Sequence, residues 1–218
     1  MPQPASVYDL RFGEREKSLK DGVWREIGRY LQRYVPDDGR VIDVGADLGY
    51  FVRHIRAGER WASDVRDTSA HMGEGVRFVC ANGLELADRV PTDYFDVVFM
   101  SNYLEHLDSP ELVIEQLRVA HTLLRPSGRV IVLQPNIRLV GGSYWDFIDH
   151  RVALTERSLV EAATFAGFRT RELIVRFLPY SVKGRLPAHP LLVRAYFAFR
   201  PAWWFLGKQT LYVGERPP

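Results

Sequence analysis

The sequence predicts an α/β fold, a Rossmann-like doubly wound sheet, mostly parallel with an antiparallel edge strand and with helices on both faces. Three observations predict it. Short apolar runs of strand length recur, as in Val41-Ile42-Asp43-Val44 and Phe95-Asp96-Val97-Val98-Phe99-Met100, and near-continuous apolar strands belong to sheets covered on both sides. Segments of helical periodicity separate them, which is the alternation of βαβ units. A glycine-bearing turn, Gly45 to Gly49, follows the first apolar run directly, as expected where a strand hands over to a helix.

Each element follows in order. Leu19, Val23, Ile27, Tyr30 and Leu31 recur at helical spacing, so 14–34 reads as an amphipathic helix, part of an N-terminal helical cap over 1–38. Pro36-Asp37-Asp38-Gly39 makes a turn before the first strand. Residues 50–57 form a helix, 60–65 a second strand, 76–80 a third and 95–100 a fourth. Ser109 caps a helix over 110–124 with proline in its first turn. Pro126-Ser127-Gly128 breaks that helix, and a fifth strand covers 129–133. Thr155 with Ser158 and Glu156 forms a capping box for a helix closed by Gly167. Residues 168–178 and 208–215 pair as an antiparallel hairpin, interrupted by an aromatic and basic insertion over 179–207. One domain over 1–218 accommodates all of this.

Composition narrows the function classes. At 218 residues the chain is long enough to bury a sizeable core. With 29 basic and 27 acidic residues the net charge is only +2, which argues against nucleic acid as a partner. The single cysteine, Cys80, excludes an internal disulfide and fits a reducing cytoplasm. The start of the chain, MPQPASVYDLRFGEREK, has no apolar core of the kind a signal peptide carries.

Chemistry concentrates at the ends of the strands. Asp43 closes the first, and Gly45 and Gly49 in the following turn let backbone approach a ligand closely. Asp64 closes the second strand about 20 positions later, the spacing of an acid that takes a ribose hydroxyl pair. By themselves these signals fit a tight connection and a solvated acid equally well.

The series VIDVGADLGYF (41–51), ASDVR (62–66), VRFVCANGLEL (76–86), FDVVFMSNYLEHL (95–107) and LLRPSGRVIVLQPN (123–136) resembles the class I S-adenosylmethionine (SAM)-dependent methyltransferases, and within them the broad type 11 group. Nicotinamide-binding dehydrogenases share the glycine turn and second acid but not the SNYLEHL or RPSGRVIVL blocks. The resemblance implies SAM as cofactor. It assigns the methionine part of SAM to Asp43, Gly45, Ala46, Asp47 and Gly49, the ribose to Asp64 and the adenine flank to Val65. Asn82 and Gly83 fall where an acid usually meets the adenine amino group, and Ser101 and Asn102 at backbone positions facing the sulfonium. Asp47 departs from the family pattern, which has glycine there; its side chain either turns away from SAM, contacts the ammonium, or obstructs the pocket.

Methyl transfer asks mainly for in-line positioning and, for oxygen acceptors, removal of a proton. Histidine suits that task. Of six histidines, His106 follows the fourth strand and His150 closes the loop after the fifth, and both are candidate proton acceptors. Each also has a structural explanation, as a locally bonded helix-start residue and as part of an aromatic cluster. His54, His71, His121 and His189 have no such setting. Tyr144, Trp145, Asp146 and Asp149 form an aromatic and acidic loop suited to an acceptor. No metal is expected, because the acids and histidines show no ligand spacing along the chain. The sequence therefore points to an O-methyltransferase of a small molecule or saccharide. N- or C-methylation of a small molecule and a SAM-binding, non-catalytic partner subunit are the alternatives. Leu191 to Leu206 reads as a helical insertion packed on the sheet, with a substrate lid, a homodimer contact or a membrane-surface contact as other readings.

Overall fold

A computed structural model describes residues 14–180 and 189–218; Lys183 and Arg185 of the insertion lie outside them. The elements are α1 (Glu14–Leu31), β1 (Arg40–Val44), α2 (Tyr50–His54), β2 (Glu59–Asp64), β3 (Val76–Cys80), β4 (Phe95–Ser101), α3 (Pro110–Leu123), β5 (Leu124–Pro135), α4 (Ile137–Val140), α5 (Glu156–Phe165), β6 (Arg169–Leu178), α6 (Pro190–Ala198), α7 (Pro201–Leu206) and β7 (Gln209–Glu215). They build a seven-stranded sheet in the order β3-β2-β1-β4-β5-β7-β6. The first five strands in that order pair in parallel, and β7 inserts antiparallel between β5 and β6. The strand order reverses between β1 and β4, so a crevice opens at their carboxyl ends, where ligands bind in open α/β sheets.

The alternation along each strand sorts side chains onto two faces. Ile42, Val98 and Val130 join Leu117 of α3 and Leu159 of α5 on one side. Val41, Phe99 and Ile131 meet Ile27 and Leu31 of α1 on the other. Phe51 of α2 stacks on Phe99 with ring centroids 3.7 Å apart, fixing the helix that follows the glycine turn against the sheet. Ser109 accepts a hydrogen bond from the Leu112 amide at the start of α3. Thr155 and Ser158 exchange the two bonds of a capping box at the start of α5.

Boundaries shift where tertiary contacts outweigh local signals. β5 begins at Leu124 rather than after Pro126-Ser127-Gly128, because Leu124 pairs with Phe95 and the Ser127 amide bonds the Arg216 carbonyl. α2 ends at His54 rather than 57, since Ile55 turns to extended backbone and drops into the core.

The insertion packs by one aromatic face. Tyr30 of α1, Phe177 of β6, Phe197 of α6 and Trp203 of α7 form a cluster with centroid separations of 4.9–6.1 Å. The Trp203 indole donates to the Tyr196 carbonyl at 2.8 Å. Leu191, Phe199, Trp204 and Phe205 remain exposed. No helix of the described residues is long and apolar enough to cross a membrane. Trp203→Ala is expected to lower unfolding free energy by about 3–5 kcal/mol, as for truncation of a buried aromatic. Trp204→Ala, at an exposed position, is expected to change it by under about 1 kcal/mol. Denaturant unfolding of both variants checks the contrast.

Candidate functional site

Three carboxylates converge where β1 and β2 end. Asp43 is 3% exposed. Burial, then the charges of Asp64 and Asp47, hold its carboxyl well above the ordinary range, opposed by the Val52 amide at the start of α2. The turn beyond it runs through left-handed backbone at Gly45, Asp47 and Gly49. Gly45 tolerates no other residue, because a Cβ there would collide with the Tyr103 ring. Two successive amides, Gly45 and Ala46, both donate to the Ser63 carbonyl at 2.9 Å, which locks the turn against the end of β2.

Asp47 turns its side chain toward Arg66. Its carboxylate accepts from the Arg66 guanidinium at 2.9 Å, and its own amide donates to Asp64 at 3.0 Å. Asp64 is thereby engaged on both oxygens: the second takes the Arg66 amide at 3.0 Å and Arg66 Nε at 3.2 Å. A ribose hydroxyl pair reaching Asp64 would compete with the Arg66 side chain, which pairs with both Asp64 and Asp47. Lys20 of α1 completes the surroundings: burial lowers the pKa of its ammonium and the charge of Asp47 opposes that, while its Nζ lies 5.1 Å from the Tyr50 ring.

The neighbouring wall is built from the ends of β2, β3 and β4. Val65 is 66% exposed at the crevice rim, an apolar surface suited to a flat ring. Asn82 turns its side-chain oxygen to the Leu84 amide, so that oxygen caps its own loop. The Tyr103 ring lies between Gly45 and Gly83, where a Cβ on either would strike it, and its hydroxyl donates to Gln116 at 2.9 Å. Ser101 and Asn102 bond each other through their side chains, and the left-handed Asn102 donates its amide to Leu133.

On the far side of β4 lies the second half of the site. The Glu105 carbonyl accepts the Arg151 and Val152 amides at 2.8 and 3.1 Å, which ties the loop after β5 to the end of β4. His106 and His150 consequently stand with ring centroids 5.1 Å apart. His106 Nδ1 lies 3.0 Å from the Asp149 carbonyl and 3.5 Å from its carboxylate. Glu105 is 1% exposed, and neither carboxylate oxygen has a hydrogen-bond partner among the described residues. Burial pushes its carboxyl up to about 7, with the charge of His106 opposing and that of Asp149 adding. Ligand atoms of Glu105, His106 and His150 all lie within 4.8 Å of one another, a convergence that linear spacing did not reveal.

The aromatic loop divides in two. Tyr144 is fully buried, and its hydroxyl is used on the Val152 carbonyl. It lies under His150, centroids 4.6 Å apart, so the expectation that it faces an acceptor gives way to a supporting role. Trp145 is 54% exposed and Asp146 is exposed beside it. Phe147 stacks on the His150 ring at 5.1 Å.

Of the remaining histidines, His71 is exposed and the other three have structural contacts. His54 bonds Asp21, His121 packs on Phe168, and His189 caps α6. Sequence reasoning passed over Arg66, Lys20, Tyr103 and Glu105. Tyr103 and Glu105 lie inside the SNYLEHL block and could have been singled out there. Arg66 and Lys20 carry no signal along the chain, because their positions depend on how β2 and α1 meet the turn.

Residues 15–173 match the family model described as a methyltransferase domain. No curated protein matches the chain by sequence. A SAM-dependent methyltransferase from Archaeoglobus fulgidus superimposes with a TM-score of 0.69 at 17% identity, over 97% of this chain and 100% of that one. One from Mesorhizobium loti gives 0.64 at 17% identity, over 86% and 96%. A Haloferax volcanii protein solved in complex with the Trm112 methyltransferase activator gives 0.68 at 16% identity, over 94% of each.

The convergence of carboxylates sets up a measurable trade. Asp43→Asn removes a buried charge that faces two others while keeping the side chain's shape. It is expected to raise the melting temperature by about 2–4 °C, corresponding to about 1 kcal/mol for a chain of this length. Calorimetric melting near neutral pH checks this.

Proposed function

Since the chain belongs to the SAM-dependent methyltransferase-domain family, we propose that it transfers the methyl group of SAM to a hydroxyl of a small molecule, with a saccharide as the first acceptor class to test. SAM is the cofactor. In this reading Asp43, Gly45, Ala46, Asp47 and Gly49 receive the methionine end, Asp64 the ribose, and Val65, Asn82 and Gly83 the adenine. Ser101 and Asn102 face the sulfonium.

One observation carries the hydroxyl as acceptor: Glu105, His106, His150 and Asp149 converge just past β4. An alcohol must lose a proton as its oxygen bonds to the methyl carbon and the carbon–sulfur bond breaks, leaving the electron pair on sulfur. An amine with a free lone pair needs no such help. His106 is held by Asp149, and His150 by Phe147 and Tyr144, so each ring is oriented before an acceptor arrives. Exposed Trp145 supplies a face for a sugar ring, and Asp146 and Asp149 supply acceptors for its hydroxyls.

The alternative of a non-catalytic subunit drew its support from Asp47. The Asp47 carboxylate bonds Arg66, an orientation that favours the catalytic reading. Dependence on a second protein is a separate matter, since the Haloferax volcanii neighbour is bound to an activator; assays therefore use the isolated chain first.

His106→Ala and His150→Ala are each expected to leave SAM affinity unchanged within about threefold. At least one is expected to lower turnover by about tenfold or more. Calorimetry with SAM, and S-adenosylhomocysteine release with a panel of sugars and other hydroxylated acceptors, provide the two readouts. Full turnover in both variants would remove the histidines from the chemistry.

A further inference from the structure

Glu105 presents a physical problem that methyl transfer alone does not solve. Its carboxylate is 1% exposed, with no hydrogen-bond donor on either oxygen among the described residues. An anion in that position is costly unless a cation meets it. No arginine or lysine among the described residues is paired with it; the groups that converge on it are the His106 and His150 rings. Two imidazoles and one carboxylate make a donor set that first-row divalent cations favour.

We infer that Glu105, His106 and His150 form a binding site for a divalent transition-metal cation of the zinc or cobalt type, beside the methyl-acceptor position. This rests on the reading of that wall as the acceptor side and adds to it a ligand that the family match does not supply.

Local geometry supports the assignment. His106 Nδ1 is 3.0 Å from the Asp149 carbonyl. A carbonyl only accepts, so Nδ1 carries the hydrogen and the lone pair of the neutral ring is on Nε2. A backbone carbonyl or carboxylate behind a ring N–H is the usual outer support of a metal-binding histidine. The ligand atoms lie within 4.8 Å of one another, whereas bonds of about 2.0–2.2 Å around a tetrahedral ion place them about 3.3 Å apart. Closing the set therefore takes an inward movement of about 1 Å by side chains on two loops already bonded to each other through the Glu105 carbonyl.

Three protein ligands leave a coordination position open, as in catalytic rather than structural sites. An acceptor hydroxyl bound there would be acidified by the ion, its proton passing to solvent before the oxygen attacks the methyl carbon. The histidines would then act as ligands, and the loss of turnover on their removal would have that cause.

The test uses the full-length, tag-free chain stripped with EDTA and dialysed, titrated with Zn²⁺ by calorimetry and with Co²⁺ by visible absorption. The expected result is one ion per chain with a dissociation constant of about 10 μM or tighter, and cobalt d–d bands of a low-coordinate site. Glu105→Gln and His150→Ala are expected to weaken binding by at least about tenfold, and His71→Ala, at an exposed position away from the cluster, to leave it unchanged. SAM titration of the same samples reports folding and tests the cofactor reading separately. Binding of SAM with no metal binding, or metal binding unaffected in both Glu105→Gln and His150→Ala, overturns the inference. Metal binding without SAM binding leaves this site standing and overturns the methyltransferase reading instead.

Discussion

A carboxylate buried at the end of β1 and facing two others is the constraint around which the crevice is arranged. In an apolar interior such a charge is tolerated only where donors or a cation compensate it. The fold supplies part of that compensation. The Val52 amide of α2 bonds Asp43, Arg66 spans Asp47 and Asp64, and Lys20 approaches from α1. What stays uncompensated is a negative well at the mouth of a parallel sheet, and in the proposed binding mode SAM would bring to it both an ammonium and a sulfonium. The left-handed turn, the two hydrogen bonds to the Ser63 carbonyl and the clamped Asp64 hold that well in register.

The acceptor side depends on the same strand order by a different route. β4 borders β1, so the segment after β4 begins beside the glycine turn and continues into Glu105 and His106. The loop after β5 then returns, anchored by the Glu105 carbonyl. Tyr103 connects the halves: its ring packs on Gly45 and Gly83, and its hydroxyl reaches Gln116 of α3. Tyr103 thereby joins α3 to the glycine turn proposed to receive SAM.

The strands were legible in the sequence because β1 and β4 are mostly apolar, and because glycine, Asp43 and Asp64 occur near strand ends where few residue types suffice. Element ends were less legible. Pro126-Ser127-Gly128 has the composition of a break, yet pairing with Phe95 and Arg216 holds it in a bulged strand. Asp47 was ambiguous from sequence, since direction is a matter of partners, and Arg66 lies on a different strand end. The cluster of Glu105 with His150 joins residues 45 positions apart through backbone bonds that no spacing rule anticipates. Tyr144 was not distinguishable in sequence from its neighbours in the aromatic loop, and in the fold its hydroxyl bonds the Val152 carbonyl in the core.

The central claim concerns Asp43, and the pH dependence of SAM affinity tests it most directly. In the free protein burial and its acidic neighbours hold the Asp43 carboxyl well above the ordinary range; a bound ammonium would favour the ionised form and lower it. Binding then releases a proton, so affinity rises with pH through the range where Asp43 titrates in the free protein and levels off above it. Calorimetric titration of SAM across that range is predicted to show this rise in the natural protein and its absence in Asp43→Asn. Affinity that is flat or falls with increasing pH in the natural protein, or that rises equally in Asp43→Asn, would contradict the account.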